Sequence, residues 1–205
     1  MRVAVVGGTG SFGAAVAKRL AEAGIEVVIG SRDAERARET AAPLGAEGAT
    51  NEDAVAGADL VLLAVKADAA VETARVLRSA IGSTPVFSVA AELGFGPGGV
   101  KPTAEATSIA QRIQDELDAP VVAGLHSLAA SNLAEAPPEE DALLCGDDAA
   151  AKELALELAA KLVTGNAVDA GPLASARALE GMTAVIVNVN KRYKAHAGLR
   201  VTGLR

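Results

Sequence analysis

The segment RVAVVGGTGSFG, residues Arg2 to Gly13, decides the fold of this 205-residue chain. An apolar run from Val3 to Val6 is followed directly by glycines in the pattern G-x-G-x-x-G, and then by apolar residues at helical spacing. This order of strand, glycine turn and helix is typical of a dinucleotide-binding unit. We therefore expect a pyrophosphate to bind at the turn, against the free N–H groups and positive end of the helix.

The three glycines of the pattern have different expected roles. Gly8 is expected to allow the tight turn, Gly10 to let the pyrophosphate approach the backbone, and Gly13 to let the helix lie close to the strand. Ser11 and Phe12 belong to the same predicted contact region at the start of the helix.

Composition and charge exclude several classes of protein. The net charge of −7 argues against a nucleic-acid or anionic-membrane partner. Because Cys145 is the single cysteine, an internal disulfide and a Cys-rich zinc site are excluded, and no metal site is predicted. Arg2 leads straight into structure without a signal peptide, and no apolar run approaches the roughly 20 residues of a membrane helix. We expect a soluble, cytoplasmic protein.

Apolar runs alternate with helical patterns, which predicts an α/β fold: a Rossmann-type, doubly wound, mostly parallel sheet with a small C-terminal α-rich region. The predicted boundary divides an NADP-binding domain, residues 1–125, from a smaller region, residues 126–205. Three further expectations concern the middle of the chain: a flexible loop at Gly94–Gly99, a helical segment at Thr103–Leu117 and a loop at His126–Glu140.

The end of the second predicted strand, Gly30-Ser31-Arg32, indicates which nucleotide binds. An acidic residue there favours NAD, whereas arginine accommodates the 2′-phosphate of NADP. Arg32 and Arg36 are expected to lie one helical turn apart and to converge on that phosphate, with the Ser31 hydroxyl as a further donor. The alternative is that Asp33 caps the helix and both arginines are solvated surface residues. Their position favours NADP.

The commoner dehydrogenase chemistries lack their residues here. Tyr193 is the one tyrosine and Ala197 stands four residues later, so the Tyr-x-x-x-Lys pair of short-chain dehydrogenases is missing. A histidine relay could draw only on His126 or His196. What remains is a nicotinamide enzyme with few acid–base residues, which suits hydride transfer between two cofactors that the protein mainly aligns.

From end to end, the chain resembles the NADPH-dependent coenzyme F-420 reductases. The motifs that carry the resemblance are the opening glycine turn, Val28–Arg32, Leu125-His126-Ser127, Cys145–Asp148, and Asp169–Leu173 with Ser175, Arg177 and Glu180. The sequence departs from the family pattern at Lys66, at Ala129 and in the loop after the fifth strand.

The resemblance implies hydride exchange between C4 of NADP(H) and C5 of the deazaflavin F-420, in a cleft at the carboxyl ends of the strands. It places NADP at Thr9, Ser31, Arg32 and Arg36, and the deazaflavin at the loop Leu125, His126, Ser127 and Leu128. It also implies a homodimer, for which the helical stripe Leu179–Tyr193 is a candidate interface. Val65, Lys66 and Val89 end two further strands and are candidate cofactor contacts, because open α/β sheets bind ligands at that edge.

His126 is the candidate catalytic residue, since it could donate a hydrogen bond to the deazaflavin carbonyl as negative charge grows there; the alternative is a structural histidine at a strand end. Asp148, with Asp147, is expected to cap a helix rather than to act in catalysis. Asp169 is expected to pair with Arg177, and Cys145 to be buried and inert. The basic residues of the C-terminal tail could meet the phosphate or glutamate tail of F-420 or be a solvated helix end; they are Lys191, Arg192, Lys194, His196, Arg200 and Arg205.

Two other functions stay open at this point. One keeps the NADPH site but delivers the hydride to another acceptor, such as a flavin or an imine. The other is a non-catalytic NADP sensor, because Gly7, Gly10 and Gly13 also fit G-x-x-G-x-x-G of regulators that resemble extended short-chain dehydrogenases.

Overall fold

Strands and helices alternate as the apolar pattern predicts. The computed structural model describes residues 1–204; Arg205 lies outside the described residues. The strands are β1 (Arg2–Val6), β2 (Glu26–Ser31), β3 (Glu47–Thr50), β4 (Leu60–Leu63), β5 (Val86–Ser88), β6 (Leu93–Gly96), β7 (Gly99–Pro102), β8 (Val121–Gly124), β9 (Ala142–Gly146) and β10 (Ala167–Asp169). The α-helices are α1 (Ser11–Glu22), α2 (Ala34–Ala41), α3 (Asn51–Val55), α4 (Ala67–Ile81), α5 (Ile109–Glu116), α6 (Ala130–Glu135), α7 (Ala149–Ala159) and α8 (Ala176–Tyr193).

Eight strands form one sheet in the order β10-β9-β8-β5-β4-β1-β2-β3. Every neighbouring pair is parallel except β8 and β9. Alternate residues of each strand face opposite sides, so Val3 and Val5 join one apolar core and Ala4 and Val6 join the other. The predicted fold class, a doubly wound and mostly parallel sheet, is confirmed.

The strand order places a crevice between β1 and β4. From β1 the chain runs outward to β2 and β3, and then crosses back to put β4 on the other side of β1. Loops that leave the carboxyl ends of β1 and β4 therefore run to opposite sides of the sheet. Ligands of open α/β sheets bind at such a switch point.

The antiparallel strand β9 brings the C-terminal region to this same edge. Because β9 runs against β8, it begins where β8 ends, and Leu125 donates its backbone N–H to Leu143 O at 3.3 Å. Residues of both regions consequently meet at the carboxyl edge.

The segment predicted as a flexible loop, Gly94–Gly99, forms a hairpin instead, so that expectation was wrong. Strands β6 and β7 pair in register, with Phe95 opposite Val100. The Asn188 side chain of α8 binds both backbone groups of Val100, accepting from its N–H at 2.9 Å and donating to its carbonyl at 2.6 Å. The hairpin is held by a residue 88 positions away along the chain, so local sequence does not reveal it.

Two other expectations in the middle of the chain were wrong in part. The predicted loop at 126–140 contains α6, which buries Leu133 and receives a hydrogen bond from Lys18 of α1 to the Ala134 carbonyl. The helix expected from Thr103 begins at Ile109, where Ser108 and Gln111 form a capping box. Six residues of α6 are too few to show helical periodicity.

The predicted pair of Asp169 and Arg177 does not form. Asp169 pairs with Lys152 at 2.9 Å, whereas Arg177 donates to the backbone carbonyls of Thr103 and Glu105. The expected cap is confirmed, because Asp148 accepts from the Ala151 N–H at 2.8 Å. Cys145 is buried as expected, and its burial raises the pKa of the thiol to about 12.

Candidate functional site

The glycine turn packs so tightly that side chains are excluded at three of its positions. Gly7 has a φ of +82°, so the turn needs its left-handed conformation at Gly7 rather than at Gly8, where the sequence placed it. A Cβ on Gly8 would lie 2.9 Å from the Ile29 side chain, and a Cβ on Gly13 would lie 2.6 Å from the Gly7 carbonyl oxygen. Gly8 and Gly13 therefore allow close packing between the turn, β2 and α1.

Gly10 differs from these glycines, because a Cβ there would meet only the Gly7 carbonyl oxygen, at 3.3 Å. This approach is tight but would be relieved by a shift of a few tenths of an ångström, so packing constrains Gly10 less than Gly7, Gly8 or Gly13. Gly10 is exposed and is the N-cap of α1, where a side chain would stand between the helix end and an approaching ligand. A pyrophosphate that contacts the backbone explains the missing side chain.

The N-terminus of α1 is left without a side-chain cap. Its N-cap Gly10 makes no side-chain hydrogen bond, and its first turn carries no acidic residue. By contrast, Asp33, Thr50, Ser108 and Asp148 cap other helices of the chain. Uncapped N–H groups beside a glycine turn form an anion site. Thr9 is half-buried, Ser11 is exposed and Phe12 packs against the core, so Thr9 and Ser11 are the side chains that this site presents to solvent.

Ser31, Arg32 and Arg36 come together at the end of β2. The Ser31 hydroxyl oxygen accepts from the Asp33 N–H at 3.2 Å, which leaves its proton free to donate. Arg32 and Arg36 are exposed, and within residues 1–204 neither forms an ion pair. Asp33 caps α2 by accepting from the N–H groups of Glu35 and Arg36. This is also the arrangement that the solvated-surface alternative expects, and it leaves both guanidinium groups without ion pairs and accessible to a phosphate monoester.

One detail of the arginine prediction needs correction. Arg32 precedes Asp33, the N-cap of α2, so it lies in the turn after β2 and not on the helix. Arg36 is in the first turn of α2. The two side chains therefore leave from different elements rather than from successive turns of one helix.

The predicted contacts on the other side of the crevice end β4 and β5. Val65 lies against the glycine turn, since a Cβ on Gly7 would approach its Cγ1 to 2.8 Å. Lys66 is exposed and is the N-cap of α4, and it makes no side-chain cap. Val89 is half-buried against the core and donates its backbone N–H to Leu63 O at 3.4 Å. Val65 therefore faces the glycine turn and Lys66 follows it at the start of α4, while Val89 lies one strand further along.

The loop after β8 holds His126 rigidly. Leu125 has a φ of +63°, a conformation that costs free energy for a residue with a side chain and that persists here because its neighbours hold it. Thr183 of α8 donates to the His126 carbonyl at 2.8 Å. Leu125, Ser127 and Leu128 are buried with it. A strained residue directly before a candidate histidine is typical of a functional loop.

The His126 ring is not placed as a proton donor to a substrate. Its side chain is 7% exposed, and burial lowers its pKa to about 4. The neutral ring carries one N–H, and Nε2 lies 3.2 Å from the Ala90 carbonyl, which can only accept. Nδ1 is therefore an acceptor, and it is buried without a partner among residues 1–204. The donor role inferred from the sequence does not fit this arrangement.

Sequence reasoning missed the residues that hold these loops from a distance. Ala90, Thr183 and Asn188 have no motif, and each acts through a contact far along the chain. It also missed a groove of about 440 Å³ between α6 and the C-terminal tail. The groove is lined by Asn132, Pro137, Glu140, His196 and Arg200, among others.

Over the described part of the chain, no group of three or more His, Cys, Asp or Glu side chains is arranged to hold a metal ion. Likewise, none of the helices described within residues 1–204 is both long and apolar enough to cross a membrane.

Comparison with known proteins decides the family. Residues 2–92 match the family model described as NADP oxidoreductase, coenzyme F420-dependent. Over 222 aligned positions, the sequence is 35% identical to the F420-dependent NADP reductase of Methanothermobacter thermautotrophicus, covering 100% of this chain and 96% of that protein. The chain belongs to the F420-dependent NADP reductase family.

Other members of the F420-dependent NADP reductase family match over the same extent. The reductase of Methanocaldococcus jannaschii is 30% identical over 223 positions, covering 100% of this chain and 99% of that protein. The crystal structure of a candidate F420-dependent NADP reductase from Arthrobacter sp. FB24 superposes with a TM-score of 0.83 at 25% identity, over 98% of this chain and 99% of that one. The similarity therefore includes the C-terminal region as well as the nucleotide-binding half.

Proposed function

We propose that this chain is an oxidoreductase that transfers a hydride between C4 of NADP(H) and C5 of the deazaflavin coenzyme F-420. The observation that carries the proposal is the pair of exposed arginines, Arg32 and Arg36, which form no ion pair within residues 1–204 and follow β2 beside a glycine turn whose helix has no side-chain cap. Full-length relatives named F420-dependent NADP reductase support the choice of the second substrate.

The NADP half of the proposed site consists of two anion-binding parts. The pyrophosphate would bind the N-terminus of α1 through the backbone of Gly8, Gly10 and Gly13, with Thr9, Ser11 and Phe12 around it. The 2′-phosphate would bind Ser31, Arg32 and Arg36. Val65, Lys66 and Val89 complete the proposed contacts across the crevice. The exposed backbone of Gly10 at the uncapped start of α1 supports this placement, because packing constrains this position less than Gly8 or Gly13.

The deazaflavin half of the proposed site is the loop Leu125, His126, Ser127 and Leu128. Because the His126 ring is neutral and its Nδ1 is buried, we propose that the ring positions the deazaflavin loop through its contact with the Ala90 carbonyl. The strained Leu125 and the Thr183 contact would hold the loop in place while the two rings meet. Residues 1–125 would then bind mainly NADP, and residues 126–205 would complete the cleft.

We also propose that the enzyme is a cytoplasmic homodimer that uses the outer face of α8. The predicted stripe divides in two: Leu179 is buried in the core, whereas Tyr193 at the end of α8 is 71% exposed, and Val185, which lies outside the stripe, is 58% exposed. The exposed end of the helix, not its whole stripe, is therefore the proposed interface. Analytical ultracentrifugation tests this, and a monomer at micromolar concentration would contradict it.

A direct assay tests the proposed reaction. Protein, NADPH and F-420 are mixed, and the deazaflavin absorbance is followed. Loss of the absorbance supports the proposal. Reduction of FMN without loss of deazaflavin absorbance would favour another acceptor, and NADPH binding without turnover would favour a sensor.

A further inference from the structure

Asn51 stands directly beside the proposed 2′-phosphate site although no motif marks it. Thr50, the last residue of β3, pairs in register with Ser31, the last residue of β2. Asn51 follows as the first residue of α3. Asn51 and Arg32 are therefore the residues that leave two adjacent strands at the same level of the carboxyl edge.

The amide of Asn51 lacks the hydrogen bonds that its neighbours have. Thr50 and Asp53 satisfy one another, through a 2.7 Å bond between their side chains and a 3.1 Å bond from the Asp53 N–H. The Asn51 side-chain oxygen is buried and has no partner within residues 1–204. A buried polar atom of this kind is rare and calls for a physical reason.

Gly30 shows how the amide is held. A Cβ on Gly30 would lie 2.9 Å from Asn51 Oδ1 and 3.2 Å from Ala54 Cβ. The Asn51 oxygen thus occupies the space that a side chain on β2 would fill, one residue before Ser31. With the oxygen buried and the residue only half-buried, the amide nitrogen is the end that faces solvent, and it donates no hydrogen bond within residues 1–204.

We propose that Asn51 is a further specificity-determining residue, which donates a hydrogen bond from its amide nitrogen to the 2′-phosphate of NADP(H). This inference rests on the proposed function. A phosphate monoester offers only acceptors, and Ser31, Arg32 and Arg36 approach it from the β2–α2 side. The amide supplies a neutral, directional donor from the β3–α3 side. Its oxygen is packed against Gly30, and this packing orients the amide before the ligand binds.

Calorimetric titration of the full chain with 2′,5′-ADP and with 5′-AMP tests this role, because these ligands differ only in the 2′-phosphate. In Asn51→Ala we expect affinity for 2′,5′-ADP to fall about tenfold or more, as for loss of a hydrogen bond to a charged group, and affinity for 5′-AMP to stay within about twofold. Asn51→Asp keeps the shape of the side chain, removes the donors and adds a repelling charge, so its selective loss should be larger. Glu52→Asp, a change at the exposed neighbour that keeps the charge, is the matched control and should leave the ratio of the two affinities unchanged.

Equal losses for the two ligands, or no loss for either, would overturn the role of Asn51. Within one folded variant, the ratio of the affinities for 2′,5′-ADP and 5′-AMP is independent of any general weakening of α3. The comparison therefore applies to Asn51→Ala and to Asn51→Asp separately. If the wild-type chain itself fails to prefer 2′,5′-ADP over 5′-AMP, the proposed NADP site is wrong instead, and the two failures are thereby distinguished.

Discussion

The Nε2 atom of His126 lies 3.2 Å from the backbone carbonyl of Ala90, and this contact joins the loop after β8 to the end of β5. It fixes which ring nitrogen carries the proton. It also brings the chain segment that starts the hairpin against the loop proposed to hold the deazaflavin. Burial of this ring also makes the stability of the fold depend on pH.

The stability of the fold should fall as the pH is lowered from about 6.5 to about 4, because of His126. Its pKa is lowered from 6.5 to about 4 in the folded protein, so the unfolded chain binds a proton in this range while the folded chain does not. The linked loss is about 2 kcal/mol at pH 5 and about 3 kcal/mol below pH 4. Urea unfolding at pH 7 and pH 5 measures it. His126→Asn should lack this part of the pH dependence, and an unchanged dependence in the variant would refute the assignment.

Glu180 should have the opposite dependence. It is 1% exposed on α8, and burial raises its pKa from 4.5 to about 7, although the Ala110 N–H donates to it. A raised folded pKa stabilises the fold fully below pH 4.5, and that stabilisation is lost as the pH rises through 7. Glu180→Gln stays neutral, so at pH 8 it should unfold at a higher temperature than the wild type, by the equivalent of about 3 kcal/mol. Thermal unfolding at pH 5 and pH 8 checks this, and a variant that is destabilised more at pH 8 than at pH 5 would contradict it.

Gly13→Ala and Gly10→Ala should separate packing from ligand approach. The added methyl group at Gly13 would lie 2.6 Å from the Gly7 carbonyl, so we expect a loss of about 1–3 kcal/mol in the free energy of unfolding. At Gly10 the nearest contact is the Gly7 carbonyl oxygen at 3.3 Å, so the loss of stability should be smaller than at Gly13 while NADPH affinity falls. Denaturant unfolding and fluorescence titration with NADPH measure the two effects. Normal NADPH affinity in Gly10→Ala would remove the proposed pyrophosphate contact.

Arg32→Ala should reduce the preference for NADP over NAD about tenfold or more, because it removes a charge-assisted hydrogen bond. Arg36→Ala should act in the same direction. Arg38→Ala is the matched control, since Arg38 is equally exposed on α2 but lies a turn or more from the end of β2. The affinities for both nucleotides are to be measured for each variant. If the ratio of the NADP and NAD affinities in Arg32→Ala equals that of the Arg38→Ala control, Arg32 does not bind the 2′-phosphate.

Asn188→Ala should free the hairpin of β6 and β7. Its side chain makes both hydrogen bonds to the backbone of Val100, whereas Phe95 on the paired strand is 78% exposed, so Asn188 is the polar contact that holds the middle of β7. Amide hydrogen exchange at Val100 should become faster by about tenfold or more, while exchange in β1 and β4 stays unchanged. Exchange at Val100 that matches the wild type would mean that packing, not Asn188, holds the hairpin.

Short-range features of this molecule were predictable from the sequence, and long-range choices were not. The glycine turn, Ser31 with Arg32, and the Asp148 cap each depend on a few adjacent residues, so their chemistry is visible locally. Asp169 forms an ion pair with Lys152 and not with Arg177, and this outcome depends on how α7 and α8 pack. The tautomer of His126 is set in the same way by Ala90, 36 residues earlier.

The complete burial of Cys145 makes this chain well suited to spectroscopic labelling. The single native thiol is fully buried in the core and its pKa is near 12, so it does not compete for thiol-directed probes at neutral pH. One cysteine introduced on the hairpin and one on α2 would therefore accept a pair of fluorophores or spin labels on the otherwise native sequence. The separation between the two sides of the crevice could then be followed in solution as each substrate is added.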